Sequence, residues 1–510
     1  MFLAVWSIFI ALSPAAPPAD PCASCHPKEV EGYAKSAMAH SIEPVHSQPA
    51  GSFTHAFSGT TFTAGENGPT AFQSFERHNE SGTLPVEYAI GSGHHAAGYL
   101  VQIAGHLFQS PIAYYTKRRS WDMAPGYEQA PEPDFSRPVT LECLFCHSDK
   151  PLPVPDTLNT YQTPPFAREP IWCDRCHGPV EFHLKRPIPG SILNPARLSG
   201  AVRDSICEQC HLAGEVRIPN PGKTAADFLP GQRLEDVYTV YVLPHRVENT
   251  VRVISQSEQL ALSVCARSSG GKLWCGTCHN PHDVPARPAE YYRERCLTCH
   301  GATLEASHAA PGRNCIACHM PPRPAKDGGH TAFTDHRIAR HPEEFPAAPI
   351  GAELTAWREP EEPLRSRNLA LALVTAGVQN RDANQVIRGY RMLNRLEQNF
   401  SDDPVVLTAL GNILLKGKQP AEAEQRFERA LRLRPRYAPY EVNLAGALLA
   451  EGNTSSAIQH LERAVQLDPL LYQAVELLSR AEKMQGNTSR AEEILNSYRK
   501  AMGIRVKPAE

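Results

Sequence analysis

Between about residues 50 and 120 the chain lacks the three-to-four-residue spacing of apolar side chains that marks an amphipathic helix. The segment is rich in Thr, Phe, Tyr and Gly, and Gly, Asn and Ser interrupt it at short intervals. This pattern predicts short strands joined by turns, over 51–63, 72–78, 99–108 and 111–117. We therefore expect a small β-rich insertion over about 50–120.

The last third of the chain shows a different pattern, in which apolar and small side chains recur at a period of 34 residues. The matched positions are Leu410, Leu444 and Leu478; Ala423, Ala457 and Ala491; Phe427, Leu461 and Leu495; Ala430 and Ala464; Pro435 and Pro469; Gly452 and Gly486. Leu, Ala, Glu, Arg and Gln dominate the composition of this region, and all five favour helix. The period predicts repeated helix–turn–helix units, with small residues where helices touch.

A 34-residue helix–turn–helix of this kind resembles the tetratricopeptide repeat. The resemblance covers about 100 residues in three repeats, and a degenerate helical pair is expected before them, over 364–399. A generic helical bundle is the alternative, but it does not require the matched small and apolar positions. Stacked repeats expose a concave face that commonly binds a peptide or protein, so we expect partner docking there and no catalysis.

Two segments, one at the start of the chain and one just before the repeats, differ in composition from the residues between them. Residues 343–363 read EEFPAAPIGAELTAWREPEEP, which is dense in Pro and Glu and predicts a linker. Residues 2–12 form an uncharged apolar run followed by SPAAPPAD, a pattern typical of a secretory signal, although no Lys or Arg precedes it. Because a transmembrane helix takes about 20 apolar residues, this run is too short to span a bilayer. An uncleaved N-terminal anchor is the alternative.

These patterns divide the chain into four segments. We expect a signal peptide over 1–19, a main domain over 20–342, a linker over 343–363 and the repeats over 364–504. The signal implies export to the periplasm or the extracellular space, with no transmembrane span in the mature chain. The formal net charge is −3 and no basic stripe is present, which excludes nucleic acid as an expected partner.

Fourteen of the fifteen cysteines stand in seven copies of Cys-x-x-Cys-His, the attachment signature of c-type haem. In chain order, motifs 1 to 7 are Cys22, Cys25 and His26; Cys143, Cys146 and His147; Cys173, Cys176 and His177; Cys207, Cys210 and His211; Cys275, Cys278 and His279; Cys296, Cys299 and His300; Cys315, Cys318 and His319. The thiols form thioethers with the porphyrin vinyl groups, and the imidazole binds the iron from the proximal side. The sequence therefore predicts seven covalently attached haem c groups, each with its iron.

Zinc knuckles, redox Cys-x-x-Cys pairs and disulfides are the alternatives, and none of them needs a histidine after every cysteine pair. With 22 histidines in 510 residues, chance places a histidine there only about 4% of the time. From motif 2 to motif 7, the distances between successive first cysteines are 30, 34, 68, 21 and 19 residues. Such spacing leaves room for little more than a helix or loop per haem, so the haems are expected to supply much of the core. Cys265 is left over, and a buried free thiol is its ordinary interpretation.

A haem iron also needs a sixth ligand or an open site, and this choice separates an electron carrier from an enzyme. His183 follows motif 3 in CHGPVEFH, and His282 follows motif 5 in CHNPH. These offsets are too short for either imidazole to fold back easily onto its own iron. Each is therefore expected to reach a neighbouring haem.

Several stretches resemble a family of secreted multihaem c cytochromes related to the tetrahaem electron carrier of ammonia oxidisers, here fused to tetratricopeptide repeats. They are GSGHHAAGYL, CDRCHGPVEFH, SSGGKLWCGTCHNPHD and CIACHMPPRPAKDGGHTAFTDHRI. The resemblance implies a multihaem cytochrome c domain that is mostly α and irregular, with the β-rich insertion, followed by an all-α repeat solenoid. It also implies bis-histidine ligation for several haems, with distal ligands His183, His282, His330 and His336, followed by His55 and His95. For the seventh haem it leaves Met38 or His40.

Two functions are compatible with these residues. The first is electron transport along a chain of haems, with the repeats docking the protein to a redox partner protein or complex, through which it could associate with a membrane or surface. The alternative is a multihaem oxidoreductase that reduces or oxidises a small nitrogen or sulfur species at one open haem. The Cys-x-x-Cys-Lys motif that marks the catalytic haem of pentahaem nitrite reductases does not occur here. No residue is assigned a catalytic role.

Overall fold

The computed structural model describes residues 20–243, 249–307, 314–340 and 353–507, except for the side chains of 302–307. The expected signal peptide and residues 343–352 of the expected linker lie outside these ranges. We call 20–340 the attachment region, because it carries all seven motifs, and 364–507 the repeat region. Among the described residues, no helix has both the length and the apolar character needed to cross a bilayer.

The strands and helices alternate irregularly in the attachment region, and helices dominate the repeat region. The strands are β1 (Ile42–Pro44), β2 (Gly51–Thr54), β3 (Thr61–Asn67), β4 (Thr70–Arg77), β5 (Glu80–Pro85), β6 (Tyr88–Ile90), β7 (Ala96–Ile103), β8 (His106–Gln109), β9 (Ile112–Tyr115), β10 (Ser120–Met123), β11 (Arg137–Pro138), β12 (Lys150–Pro153), β13 (Tyr161–Arg168), β14 (Val216–Pro219), β15 (Tyr238–Val242), β16 (Pro322–Pro324), β17 (Ala332–Thr334), β18 (Thr355–Ala356) and β19 (Ile504–Val506). The helices are α1 (Pro27–Tyr33), α2 (Leu141–Phe145), α3 (Asp174–His177), α4 (Glu181–Lys185), α5 (Gly200–His211), α6 (Gln256–Leu262), α7 (Val264–Ser268), α8 (Cys275–Cys278), α9 (Pro288–Ser307), α10 (Cys315–His319), α11 (Leu364–Gln379), α12 (Ala383–Leu396), α13 (Pro404–Lys416), α14 (Pro420–Leu433), α15 (Ala438–Ala450), α16 (Thr454–Leu467), α17 (Tyr472–Met484) and α18 (Thr488–Ala501).

Two antiparallel sheets form the predicted β-rich segment. The first has the order β19-β5-β4-β3-β2, and the second has β1-β6-β7-β8-β11, with β9 pairing with β7 and β10. Phe62 and Phe75 are paired in register across β3 and β4 and are both buried. Their alternation with polar neighbours gives each strand one buried face. The expectation of a β-rich insertion over about 50–120 is confirmed.

Sheet structure extends further along the chain than the sequence analysis predicts. β12 pairs with β13, β15 with both β14 and β18, and β16 with β17, so strands also lie between and after the motifs. The 68-residue interval between motifs 4 and 5 contains VRIP and YTVYV, whose β-branched and aromatic side chains favour strands. The attachment region is therefore richer in β-structure than the expected mostly helical and irregular domain.

The repeat region consists of helical pairs, as the 34-residue period predicts. α11 and α12 form the expected degenerate pair, and α13–α14, α15–α16 and α17–α18 form the three repeats. A Cβ atom at Gly411 would lie 2.5 Å from a ring carbon of Phe427, which explains why a small residue is needed where these helices touch. Gly452 and Gly486 follow α15 and α17 with φ of +82° and +85°, so each ends its helix in the left-handed conformation.

The repeat region packs directly on the sheets of the attachment region. β19, which follows α18, pairs with β5 and completes the first sheet. Asp468, between α16 and α17, lies 3.1 Å from Nε2 of His106 on β8. Arg434, after α14, pairs with Asp156 at 3.0 Å. The repeats are therefore held against the sheets at several points along the solenoid.

Candidate functional site

Most of the motifs lie on a single turn of helix or at a helix end. Motif 3 occupies α3, motif 4 ends α5, and motif 7 forms α10. In motifs 1, 3 and 5 the backbone N–H of the histidine donates to the carbonyl oxygen of the first cysteine, at 2.8, 2.8 and 2.9 Å. This turn places the histidine next to the first cysteine, so both can reach one bound group.

Among the described residues, three motif histidines face a second imidazole from another part of the chain. The ring centres are 6.5 Å apart for His26 and His183, 5.8 Å for His177 and His282, and 6.2 Å for His279 and His336. A metal–imidazole bond is about 2 Å long and the ring centre lies about 1 Å beyond its nitrogen, so two imidazoles on one metal have centres about 6 Å apart. The observed spacing fits one metal atom between each pair.

Each second imidazole follows a later motif than the one that it faces. His183 follows motif 3 and faces motif 1, His282 follows motif 5 and faces motif 3, and His336 follows motif 7 and faces motif 5. A Cβ atom at Gly32 in α1 would overlap the carbonyl oxygen of His282, so the helix after motif 1 lies directly against this segment. The structure thus brings His183 and His282 to other motifs, as their offsets suggested, and it brings His336 to motif 5, a placement for which the sequence offered only the resemblance.

Nδ1 of several motif and facing histidines is held by a hydrogen bond, which orients the ring. His177 bonds to the carbonyl oxygen of Leu193 at 2.8 Å, and His336 to that of Thr334 at 2.9 Å. The remaining contacts are His183 to Ser191 Oγ at 2.7 Å, His211 to Gln256 Oε1 at 3.1 Å, His279 to the Tyr292 hydroxyl at 3.1 Å and His319 to the Ala339 carbonyl at 3.0 Å. Metal-binding histidines typically use one ring nitrogen in this way and bind the metal with the other.

Burial keeps several of these imidazoles neutral. Burial, together with the nearby His336 and His211, lowers the pKa of His279 to about 4. Burial also lowers the pKa of His147 and of His211. A neutral imidazole is the form that binds a metal, so these residues are ready to bind near neutral pH.

Large apolar side chains are exposed beside His183 and His282. Phe182 and Leu184, on either side of His183, are 59% and 45% exposed, and Val284, close to His282, is 47% exposed. An exposed apolar cluster generally marks a surface that something else covers. A porphyrin is flat and apolar, and it would cover these side chains while binding between the imidazoles. The residues present therefore fit haem.

Two other predicted ligands are bonded elsewhere in the attachment region. His55 is buried, with its ring nitrogens 2.9 Å from Ser58 Oγ and 3.1 Å from the Glu128 carbonyl oxygen. His330 contacts Asp122 at 2.8 Å. Within the part of the chain that the structure describes, neither ring lies against a motif histidine.

His95 and His40 lie in different surroundings. Nδ1 of His95 is buried and makes no hydrogen bond among the described residues, and its ring lies 4.3 Å from that of Phe333. His95, Lys117 and His336 line an open pocket of about 200 Å³, so His95 faces the same space as His336. His40 contacts Glu43 at 2.6 Å and the Ala34 carbonyl oxygen at 2.9 Å, which uses both of its ring nitrogens.

The sequence analysis missed the side chains that hold the Nδ1 atoms. Ser191, Gln256 and Tyr292 lie 8, 45 and 13 residues from the histidines they contact. Hydroxyl and amide side chains are common throughout the chain, so no spacing rule points to them. Only the motif histidines themselves can be recognised from a sequence pattern.

Comparison with known proteins identifies the repeat region alone. No curated protein matches the chain. Among solved structures, the MamA RS-1 ArsTM double mutant is 18% identical over 28% of this chain and 75% of its own, with a TM-score of 0.25. MamA 41-end from Desulfovibrio magneticus RS-1 is 18% identical over 27% of this chain and 78% of its own, with a TM-score of 0.24. Tetratricopeptide-repeat family profiles match residues 408–472 and 448–503. The C-terminal region therefore contains tetratricopeptide repeats.

Proposed function

We propose that this chain is an exported heptahaem c-type cytochrome that carries electrons along its haems. The supporting observation is the set of three facing imidazole pairs, each joining a motif histidine to a histidine from elsewhere in the chain. Two imidazoles that bound one haem iron would leave no position on it for a substrate. This arrangement favours electron transfer over substrate chemistry.

In this proposal the chain binds, orients and tunes the cofactor, and the haem supplies one-electron redox chemistry when it is bound. The cysteines of each motif hold the porphyrin, and the histidine of each motif is the proximal ligand. His183, His282 and His336 are the distal ligands for motifs 1, 3 and 5. Because each comes from a segment next to another motif, the ligands also fix the distances between neighbouring haems.

The repeats supply the proposed docking surface. Tetratricopeptide repeats commonly mediate protein–protein interactions, and here we propose that they bind a redox partner protein. Their contacts with the sheets, at Asp468 and through β19, support a fixed distance between a bound partner and the motifs. Thioether attachment takes place outside the cytoplasmic membrane, so the proposal places the protein in the periplasm or the extracellular space.

The first test is a pyridine haemochrome count with an electron paramagnetic resonance spectrum of the oxidised protein, recorded with and without nitrite. The proposal expects seven haems per chain and low-spin signals that nitrite does not change. A high-spin signal that nitrite shifts would contradict a pure carrier and favour the oxidoreductase with an open haem. A chain without haem would contradict both functions.

His282→Ala tests the ligand assignment. The variant should retain seven haems and gain one high-spin signal, because motif 3 would lose its second imidazole. His94→Ala is the matched control, since His94 is exposed and should leave the spectrum unchanged. An unchanged spectrum in the His282 variant would contradict the assignment.

A further inference from the structure

The second variable residues of motifs 2, 3 and 4 contact one another. Nη2 of Arg175 in motif 3 donates to the carbonyl oxygen of Phe145 in motif 2 at 2.8 Å. The Arg175 guanidinium also lies over the Phe145 ring, 4.1 Å from its centre. Nε2 of Gln209 in motif 4 donates to the carbonyl oxygen of Arg175 at 3.0 Å. Arg175 therefore joins three attachment motifs at one point, which we call the junction.

The cysteines around the junction are also close together. Sγ of Cys146 lies 3.9 Å from the carbonyl oxygen of Gln209, and its thiol contacts that of Cys210. Arg217 brings a second guanidinium to Cys146, with Nη1 at 4.0 Å. Groups attached to motifs 2 and 4 would therefore have their thioether edges next to each other and close to Arg175.

The nearest carboxylates are already paired with other cations. Asp174, next to Arg175 in motif 3, contacts Lys150 at 2.7 Å and Arg168 at 3.3 Å. Arg168 also contacts Asp149 at 3.2 Å. Nε of Arg175 is buried and has no hydrogen-bond acceptor among the described residues. Arg175 is partly buried, and its guanidinium donates to a neutral carbonyl oxygen, that of Phe145.

We propose that Arg175 is a positioning residue that holds motifs 2, 3 and 4 together and raises the reduction potentials of the haems attached there. This inference rests on the proposed function. Adding an electron to a haem adds negative charge, which a nearby cation stabilises, and the effect is larger where water is excluded. The haems at the junction then have higher potentials than they would without Arg175.

The test is a spectroelectrochemical redox titration of the full, haem-loaded chain carrying Arg175→Met. We expect seven haems, a downward shift of two or three of the midpoint potentials, and no change in the others. Arg197→Met is the matched control, because it removes one positive charge from an exposed position between motifs 3 and 4. Solvent screens an exposed charge, so this control should leave all seven potentials unchanged. Arg175→Lys keeps the positive charge, so its midpoint potentials should lie close to those of the wild type.

Unchanged potentials in an Arg175→Met protein with seven haems would overturn the inference, as would an equal shift of all seven. If Arg175→Met and Arg175→Gln both fail to retain seven haems, the haem loading of Arg175→Lys is the test. Full loading of the lysine variant would show that the junction needs the positive charge, and incomplete loading would overturn the charge-based role. A wild-type chain without haem would instead contradict the proposed function itself.

Discussion

The repeat region and the attachment region differ in how their side chains are covered. In the repeats, Ala457, Leu461 and Ala464 of α16 are fully buried against neighbouring helices. The helices that carry motifs 3, 5 and 7, which are α3, α8 and α10, contain no fully buried residue. The repeats complete their core with amino acids alone, whereas these three motif helices leave all their side chains at least partly exposed.

The difference follows from the length and pattern of the elements. The repeat helices are 13 or 14 residues long in the three matched pairs, so each can present a continuous apolar stripe to its neighbours. α3 and α8 have four residues each, and two residues of each helix are cysteines or histidines of its Cys-x-x-Cys-His motif. Short helices of this kind gain little from packing, and their stability must come from what they bind.

The largest expected effect comes from making the chain without haem. The attachment region should become sensitive to proteases between motifs 2 and 7, because its exposed apolar surfaces stay uncovered. The repeat region should keep its helical signal, since its core needs no cofactor. Limited proteolysis with mass spectrometry, beside circular dichroism, measures both. Equal protection of the two regions would show that the attachment region also folds on amino acids alone.

A smaller effect is expected from a cavity in the repeats. Phe427→Ala should lower the free energy of unfolding of the repeat region by about 3–5 kcal/mol, because Phe427 is fully buried against Gly411. Urea denaturation followed by circular dichroism measures the change, and the haem count should stay at the wild-type value. Leu433→Ala is the control, since Leu433 is 40% exposed. Loss of haem from the Phe427 variant would show that the two regions do not fold independently.

The smallest expected effect is a pH dependence of the contact between the regions. Burial opposes the charged form of His106, but the hydrogen bond and charge of Asp468 outweigh it, so the pKa of His106 is raised above its usual 6.5. Because the folded pKa is raised, the stabilisation is fully present below pH 6.5 and is lost as the pH rises through the folded value. We expect a change on the order of 1 kcal/mol.

Thermal unfolding at a series of pH values measures this contribution. Asp468→Asn should remove the part of the pH dependence that belongs to His106 and leave the rest of the profile in place. Arg434→Gln, which removes the neighbouring contact with Asp156, is the control and should preserve that pH dependence. An identical profile in the Asp468 variant would contradict this origin.

The sequence analysis predicted the repeats most completely, because their pattern is local and recurs. Leu410, Leu444 and Leu478 occupy equivalent places on α13, α15 and α17, as the period required. The β-rich insertion was also predicted, since strand and turn preferences act over a few residues. The strands between the motifs, such as β14 and β15, were not predicted, because the short spacing of the motifs suggested only helices or loops there.

The candidate site was predictable only in part. The motif residues follow from their spacing, since two cysteines and a histidine within five residues can act together in any fold. The structure decides which histidine faces which motif, and it brings His183, His282 and His336 to motifs while keeping His55 and His330 away. These pairings join residues that are distant in sequence, so no local rule could have identified them.

The sequence by itself determined the seven attachment motifs, the β-rich segment and the 34-residue repeats, because each depends on residues within one or two turns or strands. Only the tertiary structure decided the imidazole pairs, the junction at Arg175 and the packing of the repeats on the sheets through β19. These features join residues that are distant in sequence. Their positions are set by the sum of many packing contacts, which no single stretch of sequence determines.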